Sequence, residues 1–442
     1  MQLKWKRITK RTILMLLACF LITSLTQSST ILIAENDTNY DLSTINYIDS
    51  GPIIINNDAD LLSAQNGGDG SSGNPYLISN YNITAPTNNG IYITGTTLYF
   101  KIETNLIQAS DTGIVIDTVA VGTALVTQNI VISSDIGIKV LDTPNILISF
   151  NNCTLNANQG IYLDGSPHCE VLNNTCNNNW WGVGIYNSNN CTVSNNTASY
   201  NEYGMEFDTS ESAWIEQNTV TSNTNEGIYL NNPCHYSTFT KNYCYENFIG
   251  ISIDDSNEVS VIDNTCIAHG GEALYILRSN YPLATLNTLS FADTGLAISR
   301  VENGTFSNNI IRNSTFGISA VFAESNEFYY NLIKDNDDYG IYLSSDCYYN
   351  TIHHNAFINN QGSSSQAYDA ESQNIFYDTN LLEGNYWDDW FSGNYQIDGG
   401  ANEDPYPLNA NPIISEFNII SIIVWLFLII STLSIVSVFR KK

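Results

Sequence analysis

Six tyrosines and a row of acids are the first residues in this chain with chemistry to offer. Tyr92, Tyr162, Tyr186, Tyr229 and Tyr342 each follow a glycine and its apolar neighbour, Tyr275 follows Ala273 and Leu274 in the same way, and Asp117, Asp164, Asp208, Asn231 and Asp254 come just beyond. Flat phenol rings stack on pyranose faces while carboxylates accept sugar hydroxyl hydrogen bonds. Tyr162, Tyr186, Tyr229, Asp164, Asp208 and Asp254 are therefore the candidate ligand-binding residues. The same pattern also serves a plain scaffold, because tyrosine is a good exposed strand residue and acids solubilise a surface.

No catalytic residue can be assigned. "CIAHGGEALYILR" places His269, Glu272 and Arg278 within ten residues, but their spacing crosses a turn and matches no hydrolase or lyase pattern. The five histidines (His168, His235, His269, His353, His354) are scattered, and Met205 is the sole methionine after residue 28. Soft metals need Cys, Met and His clusters, and the sequence offers none beyond the neighbours His353 and His354. No metal ligands and no cofactor are expected, although surface acids such as Asp254 and Asp255 leave nonspecific Ca2+ binding open.

Nine cysteines include Cys19, which sits in an apolar run near the start. Six of the other eight fall into pairs about one repeat apart: Cys153 with Cys176, Cys169 with Cys191, and Cys244 with Cys266. Stacked small thiols and disulfides between neighbouring coils both remain open, since adjacent strands bring Cα atoms within disulfide reach.

These residues must be held by a repeat. A glycine followed by an aliphatic residue recurs at Gly90, Gly113, Gly137, Gly160, Gly184, Gly204, Gly227, Gly250, Gly295, Gly317 and Gly340, mostly 20 to 24 residues apart, with Ala273 in the missing place. The first and third residues after it are apolar, as in Ile161 and Leu163 or Ile228 and Leu230. That alternation marks a short strand with one buried face. In "WWGVGIYN" the phase taken from Gly184 makes Asn187 the one polar residue at the third place.

Asparagine keeps a second column: Asn151, Asn174, Asn196, Asn218, Asn242, Asn264, Asn287, Asn309, Asn331 and Asn355. Short strands, a period near 23 and identical residues in register describe a parallel β-helix, an all-β solenoid of about 11–12 coils in which like side chains stack. Stacked asparagines can bond along the column and relieve a tight turn. Helical solenoids are excluded, because a unit of this length with two strands leaves no room for two helices.

The flanks read differently. Residues 1–28 combine Lys4, Lys6, Arg7, Lys10 and Arg11 with a short apolar run, the grammar of a signal peptide. Residues 29–49 read as a linker, 50–89 as an N-terminal cap with the first coil and a short helix near Asp58 to Gln65, 90–360 as the repeats, and 361–412 as an aromatic cap built from Trp387, Trp390, Phe391 and Tyr395. Residues 417–439 are apolar over a bilayer's thickness and 440–442 are basic, which predicts a transmembrane helix with a cytoplasmic tail. Between residues 35 and 412 stand 43 acidic residues against 7 basic ones, a surface that rejects nucleic acid. Eight sequons begin at Asn36, Asn82, Asn152, Asn173, Asn190, Asn195, Asn303 and Asn313 and are glycosylation candidates in an exterior protein.

The phrasing "NNxxxNxxGIxL" of the coils, "GDGSSGNPYLI" before them and "GNYWDDW…YQIDGGANEDPYPL" after them resemble the right-handed parallel β-helix proteins of the NosD type, over roughly residues 50–408. The resemblance implies a single-stranded right-handed β-helix built of carbohydrate-binding and sugar-hydrolase repeats. It also implies periplasmic copper handling, for which the sequence lacks ligands. Related β-helices cleave or epimerise acidic polysaccharides with acids and cations on one outer sheet, and cations are scarce here. The expectation is a membrane-anchored protein, its bulk extracellular or periplasmic, that binds carbohydrate or a surface protein. The alternatives are an adhesive scaffold, a polysaccharide lyase, hydrolase or epimerase, and a copper-binding protein.

Overall fold

The computed structural model describes residues 46–413. The predicted signal peptide, residues 1–28, and the predicted membrane span, residues 417–439, lie outside them. Among the described residues no helix is long and apolar enough to cross a membrane.

From Tyr47 onward the chain winds as a parallel β-solenoid whose typical coil carries three strands on three faces. One coil reads Tyr203–Asp208, Trp214–Glu216 and Thr219–Thr221, and the next reads Glu226–Asn231, Thr238–Thr240 and Tyr243–Tyr245. Each strand pairs in parallel with the same strand of the next coil. The first face has sixteen strands and the second thirteen, while the third is divided into five and nine. Thr175 joins those two parts by single bridges to Asn152 and Thr197. Thirteen strands on the second face make about thirteen coils rather than 11–12. The additional ones come from the flanks: Ile48–Ser50 already pairs with Tyr81–Ala85, and Tyr386–Trp387 still pairs with Ala356–Ile358.

Alternation drives burial. Ile161 and Leu163, Val183 and Ile185, Met205 and Phe207, and Ile228 and Leu230 stack rung on rung, fully buried. The coil glycine is demanded by close approach. A Cβ on Gly160 would lie 2.7 Å from Gly182 O and 3.0 Å from Asn179 Nδ2. This corrects the predicted phase: the coil glycine between Gly160 and Gly204 is Gly182, not Gly184. The inner pair of that strand is Val183 and Ile185, so Asn187 breaks no rule.

Thirteen asparagines, from Asn105 to Asn385, line the corner between the second and third faces. Asn174 gives its backbone N–H (2.8 Å) and its Nδ2 (3.0 Å) to Asn196 Oδ1, and bonds Ile148 O of the preceding coil through Nδ2 (2.9 Å). The same bonds recur from Asn151 to Asn355 and extend to Asn105 and Asn129 before and Asn385 after. Two more columns escaped the sequence reading: Asn156, Asn179, Asn201, Asn223 and Asn247 at the next corner, and Asn326, Asn350 and Asn374 in the last coils. A buried amide so satisfied avoids the desolvation cost of an unpaired group. Residues just before these rungs take left-handed φ, among them Asn173 (56°), Asn178 (56°) and Asn195 (56°), a conformation asparagine tolerates well.

The ends are closed. Helix Asp58–Ala64, capped by Asn57, buries Leu61, and Asp58 accepts the Thr97 N–H (2.7 Å) and hydroxyl (2.7 Å). It covers strand edges that would otherwise invite pairing. At the far end Phe357, Trp387 and Tyr395 stack at 4.2 and 4.1 Å, and Trp387 Nε1 donates to buried Asp404 (2.9 Å). Phe391 does not join this plug, being 96% exposed.

Candidate functional site

The outer side of the first face carries three columns of side chains. In the middle column Lys139, Tyr162, Gly184, Glu206, Tyr229, Ser252 and Tyr275 follow one another by register. Tyr162 and Tyr229 stand where the sequence pattern put them. Tyr186 does not: the shift to Gly182 moves it into the next column, between Asp164 and Asp208.

That shift makes the surface. Gly184 leaves a gap in the middle column, and the Tyr186 ring lies over it, so that a Cβ on Gly184 would meet Tyr186 Cε2 at 2.6 Å. The ring centroids of Tyr162 and Tyr186 are 5.1 Å apart. Tyr186 donates its hydroxyl to Glu206 Oε2 (2.5 Å), Tyr162 to Asp164 Oδ2 (3.2 Å) and Tyr229 to Asn231 Oδ1 (3.1 Å). Lys139 Nζ sits 5.5 Å from the Tyr162 ring centre. In the first column Trp181 and Tyr203 stack at 5.5 Å, an aromatic pair the sequence reading missed. Its signal was present in the residue before each coil glycine.

Burial pushes the Tyr162 and Tyr229 phenols up to about 12, reinforced by the charges of Asp164 and Asp254 respectively. Burial and the hydrogen bond to Glu206 push Tyr186 higher still. All three are neutral donors at ordinary pH. Asp208 accepts from the Thr209 hydroxyl (2.7 Å) and Asn232 Nδ2 (3.0 Å). Asp254 pairs with Arg278 (2.5 Å), yet burial pushes its carboxyl up and its Oδ1 is buried without a partner. Asn231 stands between Asp208 and Asp254, so these two acids are about 10 Å apart along the face, two rung spacings.

His269, Glu272 and Arg278 are not brought together. His269 replaces asparagine in the second column, its Nδ1 accepting the Asn247 N–H (3.2 Å) while Nε2 has no partner. Burial pushes it down to about 4. Glu272 belongs to the first outer column, opposite Thr294.

All eight described cysteines are free and buried. Cys244 and Cys266 are register partners, and Cys153 stacks on Cys176 and Cys169 on Cys191. Burial and the neighbouring sulfur hold the Cys153, Cys191 and Cys244 thiols protonated. Cys234 stands in a serine column, accepting the Ser210 N–H (3.3 Å) and donating its own N–H to Ser256 Oγ (3.0 Å). Of the sequon asparagines, Asn152, Asn173, Asn190, Asn195 and Asn303 are exposed and Asn82 and Asn313 half-buried, while Asn36 lies outside the described residues.

Residues 119–269 match the family described as "Periplasmic copper-binding protein (NosD)". Copper would need a convergent donor set there. The cysteines and Met205 of this segment are fully buried in the core, and among the described residues no three His, Cys, Asp or Glu side chains converge within it. The segment therefore does not fit a copper centre. One such group exists beyond it, at His353, His354 and Asp378.

No curated protein matches the chain. Among solved structures, the mannuronan C-5 epimerase AlgE6 A-module of Azotobacter vinelandii is similar at 10% identity, covering 76% of this chain and 98% of its own, with a TM-score of 0.44. The AlgE4 A-module of the same organism gives 12%, 66%, 94% and 0.46, and the Dettilon tailspike protein 12%, 68%, 66% and 0.42. Residues 249–403 match the family described as "Right handed beta helix region", overlapping the first match. Two overlapping family matches laid along one continuous stack of parallel coils support a NosD-type right-handed parallel β-helix repeat protein.

Proposed function

We propose that this protein works outside the cytoplasm, held at the membrane by residues 417–439, and binds neutral carbohydrate on the outer side of its first face. The observation that carries this reading is the Tyr162–Tyr186 ring pair, 5.1 Å apart and rimmed by Asp164, Glu206 and Asp208. Paired, half-buried rings offer a flat apolar platform, and the carboxylates accept hydroxyl hydrogen bonds. Of the nearby cations, Lys139 lies over the Tyr162 ring and Arg278 is paired with Asp254, and the carboxylates around the ring pair disfavour an acidic sugar.

A glycan array probed with the purified protein tests it. Binding to neutral oligosaccharides that disappears in Tyr162→Ala and in Tyr186→Ala supports the reading. A silent array, or variants that bind like the parent, turns the solenoid into a scaffold. Release of reducing ends or unsaturated sugars from a polysaccharide would replace binding by catalysis.

A further inference from the structure

His353 ends a second-face strand, Thr351–His353, and His354 follows it where the chain turns toward the third face. Successive residues of an extended strand point to opposite sides. The left-handed φ of His354 (53°) breaks that alternation, and the two imidazoles meet edge to face with their Nδ1 atoms 2.7 Å apart. Tyr329 stacks on His353 at 5.5 Å and Tyr330 lies 5.1 Å from the His354 ring, so the preceding coil holds both rings in place.

The other ring nitrogens decide the chemistry. His353 Nε2 contacts Glu327 Oε1 at 3.0 Å and His354 Nε2 contacts Glu383 Oε2 at 2.8 Å. A carboxylate only accepts, so both Nε2 atoms carry the proton. Neutral rings of that tautomer turn two bare Nδ1 lone pairs on each other, a repulsive contact unless a cation lies between them. Imidazole that ligates a metal through one nitrogen and gives its other N–H to a carboxylate is the usual arrangement at protein metal centres. Two ligands about 2.0–2.1 Å from a zinc ion are separated by roughly 2.9 Å at a right angle and 3.4 Å at the tetrahedral angle. The present spacing needs only a small opening to reach that range.

A third donor is in place. Asp378 offers a carboxylate oxygen, and the ligand atoms of His353, His354 and Asp378 all lie within 4.8 Å of one another. Its Oδ1 is oriented by the N–H groups of Asn380 (2.7 Å) and Leu381 (3.1 Å). Asp378 and Glu383 face each other across one small loop through a backbone bond of 2.8 Å, and His354 N–H bonds Gly384 O at 2.7 Å. The loop that supplies Asp378 and Glu383 is thus tied by backbone to the histidine it serves. The imidazoles are buried, while the two glutamates are half-exposed and Asp378 is partly exposed.

We propose that His353 Nδ1, His354 Nδ1 and Asp378 bind a borderline divalent metal ion of the zinc class, with Glu327 and Glu383 fixing the imidazole tautomers and water completing the coordination. Two nitrogens and one oxygen suit such an ion and lack the thiolate or thioether that copper(I) prefers. The site belongs to the last coils, outside the segment matched by the copper-binding family.

The test uses the full-length protein, stripped with a chelator and titrated with zinc chloride in a calorimeter, and with cobalt(II) followed by its visible absorption. One saturable equivalent of zinc, with micromolar or tighter affinity and a tetrahedral cobalt spectrum, is expected. His353→Gln and Asp378→Asn should abolish both signals, and Glu327→Ala should weaken zinc binding about 10- to 100-fold. Asp378 lies on the surface loop, so Asp378→Asn reports on the site even if His353→Gln folds poorly. Absence of saturable zinc binding in the parent overturns the proposal and leaves a proton shared between the rings. Zinc binding that survives Asp378→Asn and Glu327→Ala unchanged overturns it as well.

Discussion

Asn174 and Asn196 are joined twice: the Asn196 Oδ1 receives both the backbone N–H and the side-chain Nδ2 of Asn174, at 2.8 and 3.0 Å. Asn196 repeats the pattern toward Asn218 and bonds Val171 O (2.7 Å). Removing that side chain strands buried donors on Asn174, and Asn196→Ala should cost about 2–4 kcal/mol, given 1–3 kcal/mol per unsatisfied buried group. Asn195→Gly, at an exposed left-handed position, should change stability by less than about 0.5 kcal/mol. Urea denaturation of both variants checks the contrast, and equal losses would remove the column from the account of stability.

The neighbouring glycines Gly182 and Gly184 should behave oppositely. A Cβ on Gly182 would lie 2.5 Å from Gly204 O and 2.9 Å from Ala198 Cβ, contacts that only a shift of the coil relieves. Gly182→Ala should therefore destabilise by about 2–3 kcal/mol, the size of an overpacked core. On Gly184 the obstacle is the movable Tyr186 ring, so Gly184→Ala should leave the melting temperature nearly unchanged while weakening glycan binding. The reverse outcome would restore Gly184 as the coil glycine.

His269 should confer acid sensitivity. Its pKa is held near 4 in the folded protein against an ordinary 6.5, so the neutral form is favoured on folding. The associated stability is present above pH 6.5 and is lost as pH falls through 4. His269→Asn would rebuild the asparagine column and remove the partnerless Nε2. The variant should be about 1 kcal/mol more stable at pH 7, and its advantage should grow by about 2–3 kcal/mol toward pH 4. Parallel pH profiles of the two proteins would contradict this.

The tyrosine platform has an alkaline signature. Phenols raised to about 12 favour the protonated form in the folded state, so their contribution is complete below pH 10 and is lost as pH rises through 12. Absorbance titration should show Tyr162 and Tyr229 ionising about two units later than exposed tyrosines, and glycan affinity should stay level from pH 6 to 9. Ionisation of either phenol near 10 in single-tyrosine difference spectra would show that the ring is not sequestered.

What the sequence determined by itself was whatever repeats in register. A parallel coil returns each residue to the same place one rung later, so glycine, the inner apolar pair and asparagine surface as a period near 23, and the solenoid follows. The same logic brings Asn174 over Asn196 and Cys244 over Cys266. Contacts between columns carry no such period. Whether Gly182 or Gly184 sits under the next coil depends on the space around one strand, and that choice put Tyr186 over a gap beside Tyr162. His353, His354 and Asp378 meet because a left-handed turn rotates one imidazole and a loop of irregular length folds back over it. Only the tertiary structure decides such meetings, since side chains that converge from different columns and loops share no spacing along the chain.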